Sequence, residues 1–143
     1  MSQFTTAHAT LSWRQEDNLL TAKWCGVVYS REFQQIAQTL LDKTQEHKLY
    51  KWYLHLEEMQ EIESQDESWL FTEWLEAFLS LPIQKLALIP SQYLDNHMSI
   101  EQLIKVAQTM KPLDVQFFTE EQEALLWLNE KSVIDPLAFI TQN

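Results

Sequence analysis

Three kinds of side chain in this sequence could carry chemistry: one thiol at Cys25, four imidazoles at His8, His47, His55 and His97, and a run of carboxylates between Glu57 and Glu63. A nucleophilic thiol needs a nearby base and usually sits at a loop or helix start. Cys25 instead falls between Trp24 and Gly26 inside a strand pattern, and it reads as a buried, inert thiol. The histidines are dispersed: His8 in an N-terminal tail, His47 near a helix end, His97 in a loop. His55 and Glu57 alternate on one strand face, and Glu61 could add an oxygen. Zinc, however, wants three or four convergent ligands, so no metal site is expected. Glu57, Glu58, Glu61 and Glu63 show no pairing that would separate an acid from a base, and they read as a solvated run. Gly26 is the only glycine. Loops that cradle phosphates need several, so neither a Walker loop nor a dinucleotide fingerprint can form. No catalytic residue and no cofactor is expected.

Bulk properties narrow the remaining classes. The 143 residues carry a formal charge of −11, which repels phosphate backbones and anionic lipid alike and favours cationic partners. Hydrophobic residues make up 45% of the chain, enough to fill a core. A single cysteine forbids an internal disulfide and fits a reducing compartment. Met1 to Trp13 lacks the basic and apolar regions of a signal peptide, and no apolar run is long enough to span a membrane. A cytoplasmic location is expected.

Positioning falls to an alternation of strands and helices. Leu11 and Trp13 form a short half-buried strand, followed by the polar turn Gln15–Asn18 and a long strand from Leu19 to Tyr29, paired antiparallel. Gly26 within it marks a bulge or a close backbone approach. Phe33, Ile36, Ala37, Leu40 and Leu41 recur at helical spacing, from an N-cap at Ser30 to about His47. Tyr50 to Leu56 is the next strand, with Trp52, Leu54 and Leu56 on one face. Ser64 and Glu67 form the pattern of a capping box ahead of an unusually apolar second helix that ends before Pro82. Leu86 to Ile89 reads as a parallel strand covered on both faces. Ser99 with Gln102 caps a third helix, Val115 to Phe118 is the last strand, and Thr119 with Gln122 caps a fourth helix through Leu128. The order ββαβαβαβα predicts one α/β domain, with its core over about residues 9–130 and a mostly parallel sheet flanked by helices. The tail, 131–143, is too apolar for a loose end and would pack back on its own chain or cover a neighbouring subunit.

Several stretches resemble the SpoIIAA-like (STAS-like) domains, and an uncharacterised bacterial branch of them in particular. They are Leu20 to Gly26, Trp52-Tyr53-Leu54, Ser64 to Trp69, Lys85 to Pro90, Ser99 to Gln102, and Phe118 with Glu123 to Leu128. The resemblance runs from about Leu19 to Leu128. It implies a four- or five-stranded sheet with helices, shared distantly with CRAL-TRIO lipid-transfer domains. In the antagonists that define the group, a serine at the start of the second helix is phosphorylated by a partner kinase. Ser64 holds that position here and Ser68 follows a turn later, while a plain helix cap is the other reading of Ser64.

Three functions follow. The first is a non-enzymatic interaction module, self-associating as a homodimer or binding a protein partner through Trp69, Phe71, Trp74 and Phe78 and through Leu137 and Phe139 of the tail. The second is a binder of a small apolar molecule, with Phe71, Trp74, Phe78 and the tail lining its pocket. The third is a phosphoserine switch at Ser64.

Overall fold

The computed structural model describes residues 2–130. The elements run β1 (Ser2–Thr5), β2 (Ala9–Arg14), β3 (Leu19–Gly26), α1 (Ser30–His47), β4 (Lys51–Met59), α2 (Ser64–Trp69), a π-helical turn (Leu70–Trp74), α3 (Leu75–Leu79), β5 (Lys85–Ile89), α4 (Leu94–Met110), β6 (Asp114–Phe117) and α5 (Glu121–Asn129). One sheet takes up all six strands in sequence order, with β2 antiparallel to both its neighbours and β3 to β6 mutually parallel. The expected alternation is present, and β1 is added in front of it. Ser2–Thr5 has no apolar period to announce it, and becomes a strand by pairing with Thr10 to Trp13 at the sheet edge.

This strand order decides where the helices lie. Parallel strands laid down successively in one direction, each joined by a right-handed crossover, put every crossover helix on the same face. Residues of α1, of α2 to α3 and of α4 accordingly share one large core with Leu20, Trp52 and Leu88. The last helix, α5, packs Ala124 and Leu128 on the other face against Leu19, Tyr53, Ala87 and Ile89. Leu86 to Ile89 are therefore all buried, alternate residues serving opposite cores, as the unbroken apolar run requires.

The helices begin without the hydroxyl caps that the sequence pattern suggests. The N-cap positions are Tyr29, Glu63, Tyr93 and Glu120, and none makes a side-chain capping bond. Ser64 lies one residue inside α2, past the position from which a hydroxyl can reach the orphan amides. Ser30 Oγ instead donates to the buried Asp66 at 3.2 Å, tying α1 to α2. Ser99 is mid-helix, because α4 starts a turn earlier at Leu94. Its start is held by the buried Asn96, whose Oδ1 accepts from Ile62 N at 3.0 Å. His97 is consequently helical rather than in a loop. At the far end of α5, Lys51 Nζ donates to Leu128 O and Lys85 Nζ to Trp127 O, both at 3.2 Å. Cations are placed where helix carbonyls lack partners.

β3 stops at Gly26 rather than at Tyr29, because Gly26 takes φ +75. A Cβ there would come within 3.0 Å of His8 Cδ2, so both the backbone and the neighbour call for glycine. Just before it the β3–β4 register slips: Lys23 pairs with His55 but Cys25 with Glu58. Trp24 thus faces an extra residue on β4, and the bulge carries β4 on through Glu57 and Glu58 to Met59.

Candidate ligand cavity

Between the sheet and the three crossover helices lies a cavity of about 70 Å³ with an entirely apolar lining. The sheet contributes Trp24, Trp52, Leu54 and Leu88, α1 contributes Phe33 and Ala37, and α4 contributes Ile100 and Leu103. The remaining wall is the second helical segment, where Leu70, Trp74, Leu75 and Phe78 are all buried. The π turn accommodates one residue more than an α-turn would, and such turns recur at functional sites. Trp74 stacks on Phe78 with centroids 5.2 Å apart, and Trp52 is tilted against both, at 6.0 and 5.2 Å. Buried indoles need acceptors for their N–H groups. Trp52 Nε1 donates to Thr44 Oγ1 and Trp74 Nε1 to Ala37 O, each at 2.8 Å. Trp24, tilted against Phe33 with centroids 5.4 Å apart, has no partner for its Nε1 among the described residues.

A second, polar concavity opens on the α5 side, lined by His8, Lys23, Cys25, His55, Glu57 and Glu58 among others. Cys25 is exposed, which corrects the expectation of a buried thiol. Trp24 takes the helix side, so alternation turns Cys25 to the other face. The histidines are engaged structurally. His8 Nδ1 meets Glu32 Oε1 at 2.8 Å, and Thr6 Oγ1 donates to Glu32 Oε2 at 2.6 Å. The Thr6 hydrogen bond, helped by His8, holds the Glu32 carboxyl below its ordinary pKa. Tyr53 is fully buried, and its hydroxyl lies 3.1 Å from His55 Nδ1. Burial, with Glu121 and Glu57 adding negative charge, pushes the phenol far above its usual pKa. It therefore stays protonated beside His55, whose Nε2 is 3.5 Å from Glu57 Oε2. Lys23 pairs with Glu121 at 3.1 Å. Among the described residues no group of three His, Cys, Asp or Glu is placed to hold a metal ion, and although Cys25 N donates to His8 O at 2.8 Å, no hydrogen bond joins the thiol to an imidazole.

The sequence candidates divide. Trp74 and Phe78 are interior and line the cavity, so as a protein-docking surface they are covered. Trp69 and Phe71 are half-buried against the same core. Ser64 is exposed beside Val27, Glu61, Glu63 and Gln65, and Ser68 is exposed as well. Leu137 and Phe139 lie outside the described residues. Sequence reasoning passed over Trp24 as an ordinary strand residue, and no local signal marks its unpaired N–H. It also missed the exposed Tyr93, Leu94, Met98 and Phe117, which collect near the carboxyl ends of the parallel strands. Brief apolar interruptions of a polar helix start carry no periodicity to flag them.

A parallel sheet with one opposing strand, crossover helices on one face and a closing helix on the other defines a STAS-like α/β module. Its fold is similar to that of an uncharacterised protein of the DUF3478 family with a SpoIIAA-like fold from Shewanella loihica PV-4, with a TM-score of 0.58 and 19% identity over 89% of this chain and 99% of that one. The SpoIIAA-like family model matches residues 19–129, and the chain belongs to that family. No curated protein matches the sequence. No helix among the described residues is long and apolar enough to cross a membrane.

Proposed function

We propose that this SpoIIAA-like chain is a non-enzymatic binding module, and that its ligand is a small apolar molecule held between the sheet and the crossover helices. The observation that carries this reading is the apolar cavity walled by Trp74 and Phe78 on a helix broken by a π turn. Apolar enclosures of this kind stay dry and take up apolar guests; an engineered one of roughly 150 Å³ binds benzene. At about 70 Å³ the present cavity suits a smaller molecule or one end of a longer one. Ala107 lies on its wall and is buried, so Ala107→Leu should fill the space. Methyl NMR titration with short cyclic hydrocarbons should show saturable shifts in the wild type and none in Ala107→Leu. Unchanged binding in the filled variant would exclude this cavity as the site.

The interaction reading keeps a separate observation in its favour. Tyr93, Leu94 and Met98 at the start of α4 are exposed, and Phe117 packs on His97 with centroids 5.6 Å apart. Apolar side chains exposed together suit a protein partner or a second copy. Light scattering on the full chain and on one truncated after Glu130 tests self-association and the tail's part in it; a monomer in both cases removes the homodimer. A phosphoserine switch at Ser64 requires that Ser64→Asp change association or stability.

A further inference from the structure

Resting on the interaction reading of the α4 start, we propose that the carboxyl end of the parallel strands docks a cationic amphipathic segment of a partner protein, one whose apolar side chains are flanked by Lys or Arg. Most of the large apolar side chains exposed among the described residues gather at this end; Met110 and Leu126 are the exceptions. Val27 and Tyr29 follow β3, Tyr93, Leu94 and Met98 follow β5, and Phe117 closes β6. Leu94 and Met98 are 69% and 59% exposed and stand one turn apart on α4, and His97 on that turn packs on Phe117. Single exposed apolar residues are ordinary, but several at one end of a sheet mark a contact surface.

The rim of this surface is acidic. Buried Asn96 in the first turn of α4 accepts from Ile62 N at 3.0 Å, and Ser91 Oγ donates to Met59 O at 2.8 Å, so the acidic residues 57–63 are tied against the start of α4. Glu57 and Glu58 share a concavity with Tyr93, and Asp95 is exposed beside Leu94. Glu58, Glu61 and Asp95 meet no cation within ion-pair distance among the described residues. No Lys or Arg occurs in residues 52–84 or 86–104, and Lys85 is held at the other end of the sheet on Trp127 O. Lys23 is paired with Glu121 on the α5 face at 3.1 Å, and Arg31 follows Tyr29 in α1, so the carboxylates left unneutralised are those next to α4. An apolar contact inside such a rim favours a partner that brings the missing cations. The same carboxylates repel anionic lipid and oppose a second copy laid patch to patch. The tail, 131–143, holds one Lys and one Asp and brings no net positive charge. Because hydrogen bonds already fix the surface, docking requires little ordering of this chain.

The test uses the full chain and three helical Leu-rich peptides that differ only in their polar residues, Lys, Gln or Glu, followed by fluorescence anisotropy and by 1H–15N spectra of the protein. The Lys peptide should bind saturably, weaken as salt is raised, and shift the amides of residues 93–98 and of Phe117. Leu94→Ser with Met98→Ser, both at exposed positions, should weaken it about 10-fold, and Glu58→Gln with Asp95→Asn about 3-fold with a shallower salt dependence. The wild-type shifts decide the matter even if a variant folds poorly. Shifts centred on Glu73 and Glu76 instead overturn the inference, since charge attraction alone would explain them. Equal binding of the Gln or Glu peptide at residues 93–98 overturns the cationic class and leaves the interaction reading standing. Preference for phosphatidylserine vesicles over the Lys peptide, or a dimer by light scattering that Leu94→Ser dissolves, identifies a different occupant and overturns it too. No binding of any peptide overturns this inference, and with a monomeric chain it removes the interaction reading as well.

Discussion

Trp52 and Tyr53 are neighbours on β4 and both are fully buried, yet they belong to opposite faces of the sheet and are held by different physics. Trp52 faces three crossover segments, ringed by Trp74 and Phe78 with its N–H on Thr44. Tyr53 faces α5 alone, and its hydroxyl ends in a polar set with His55, whose other ring nitrogen faces Glu57. The helix face is thick and apolar, with room for a guest. The α5 face is thin, covered over only part of its width, and lined elsewhere by Lys23, Cys25, His55 and Glu57. One strand therefore carries a packing residue and a polar residue side by side, and fold and chemistry are divided between the faces.

The division is broken most directly by truncation on the thick face. Trp52→Ala should cost about 3–5 kcal/mol, read as a lowered urea midpoint, because a large aromatic is removed from a site that collapses poorly. A loss below 1 kcal/mol would mean that the crossover layer repacks freely. Next comes the junction of the two faces. Gly26→Ala should cost about 1–3 kcal/mol, since a side chain at φ +75 is strained. Adding His8→Ala should recover only the part due to the 3.0 Å contact, and the double mutant separates the two causes.

On the thin face the effects shrink. Tyr53→Phe should cost about 0.5–1.5 kcal/mol, the worth of one hydrogen bond, with the ring's packing retained. A larger loss would show that the polar set supports α5 rather than merely lying beside it. The smallest effect is expected at Glu32, where the lowered carboxyl pKa makes a pH signature. A carboxyl with a lower pKa folded than unfolded contributes stability above its ordinary value of 4.5, and loses it as pH falls below that through the lowered value. The stability difference between wild type and Glu32→Gln should hold constant at neutral pH and shrink on acidification. A difference that grows instead reverses the sign and removes the ion pair as its source.

Much of this architecture is written in local pattern. The spacing of Phe33, Ile36, Ala37, Leu40 and Leu41 places α1 with its end at His47, and all five are buried. The alternation on β4 sorts Trp52 from Tyr53 before any coordinate is known, and the run Leu86 to Ile89 announces cover on both faces. Capping failed as a guide, because Ser64 and Glu67 fit a capping box by type while Asp66 and Ser30 made the contact that counts. The thiol of Cys25 was misjudged because its exposure depends on how far α5 extends across the sheet.

What residues alone determined here is what repeats at short range: the order of strands and helices, the apolar face of each, and, through a single glycine, the absence of phosphate-cradling loops. Tertiary structure alone decided that Trp24 would have no hydrogen-bond partner among the described residues while Trp52 and Trp74 found theirs, and that Trp74 and Phe78 would wall a cavity rather than meet solvent. The physical reason is distance along the chain. Thr44 lies eight residues from Trp52, but Ala37 lies 37 from Trp74, and no periodicity records which donor will find which carbonyl once the helices cross over.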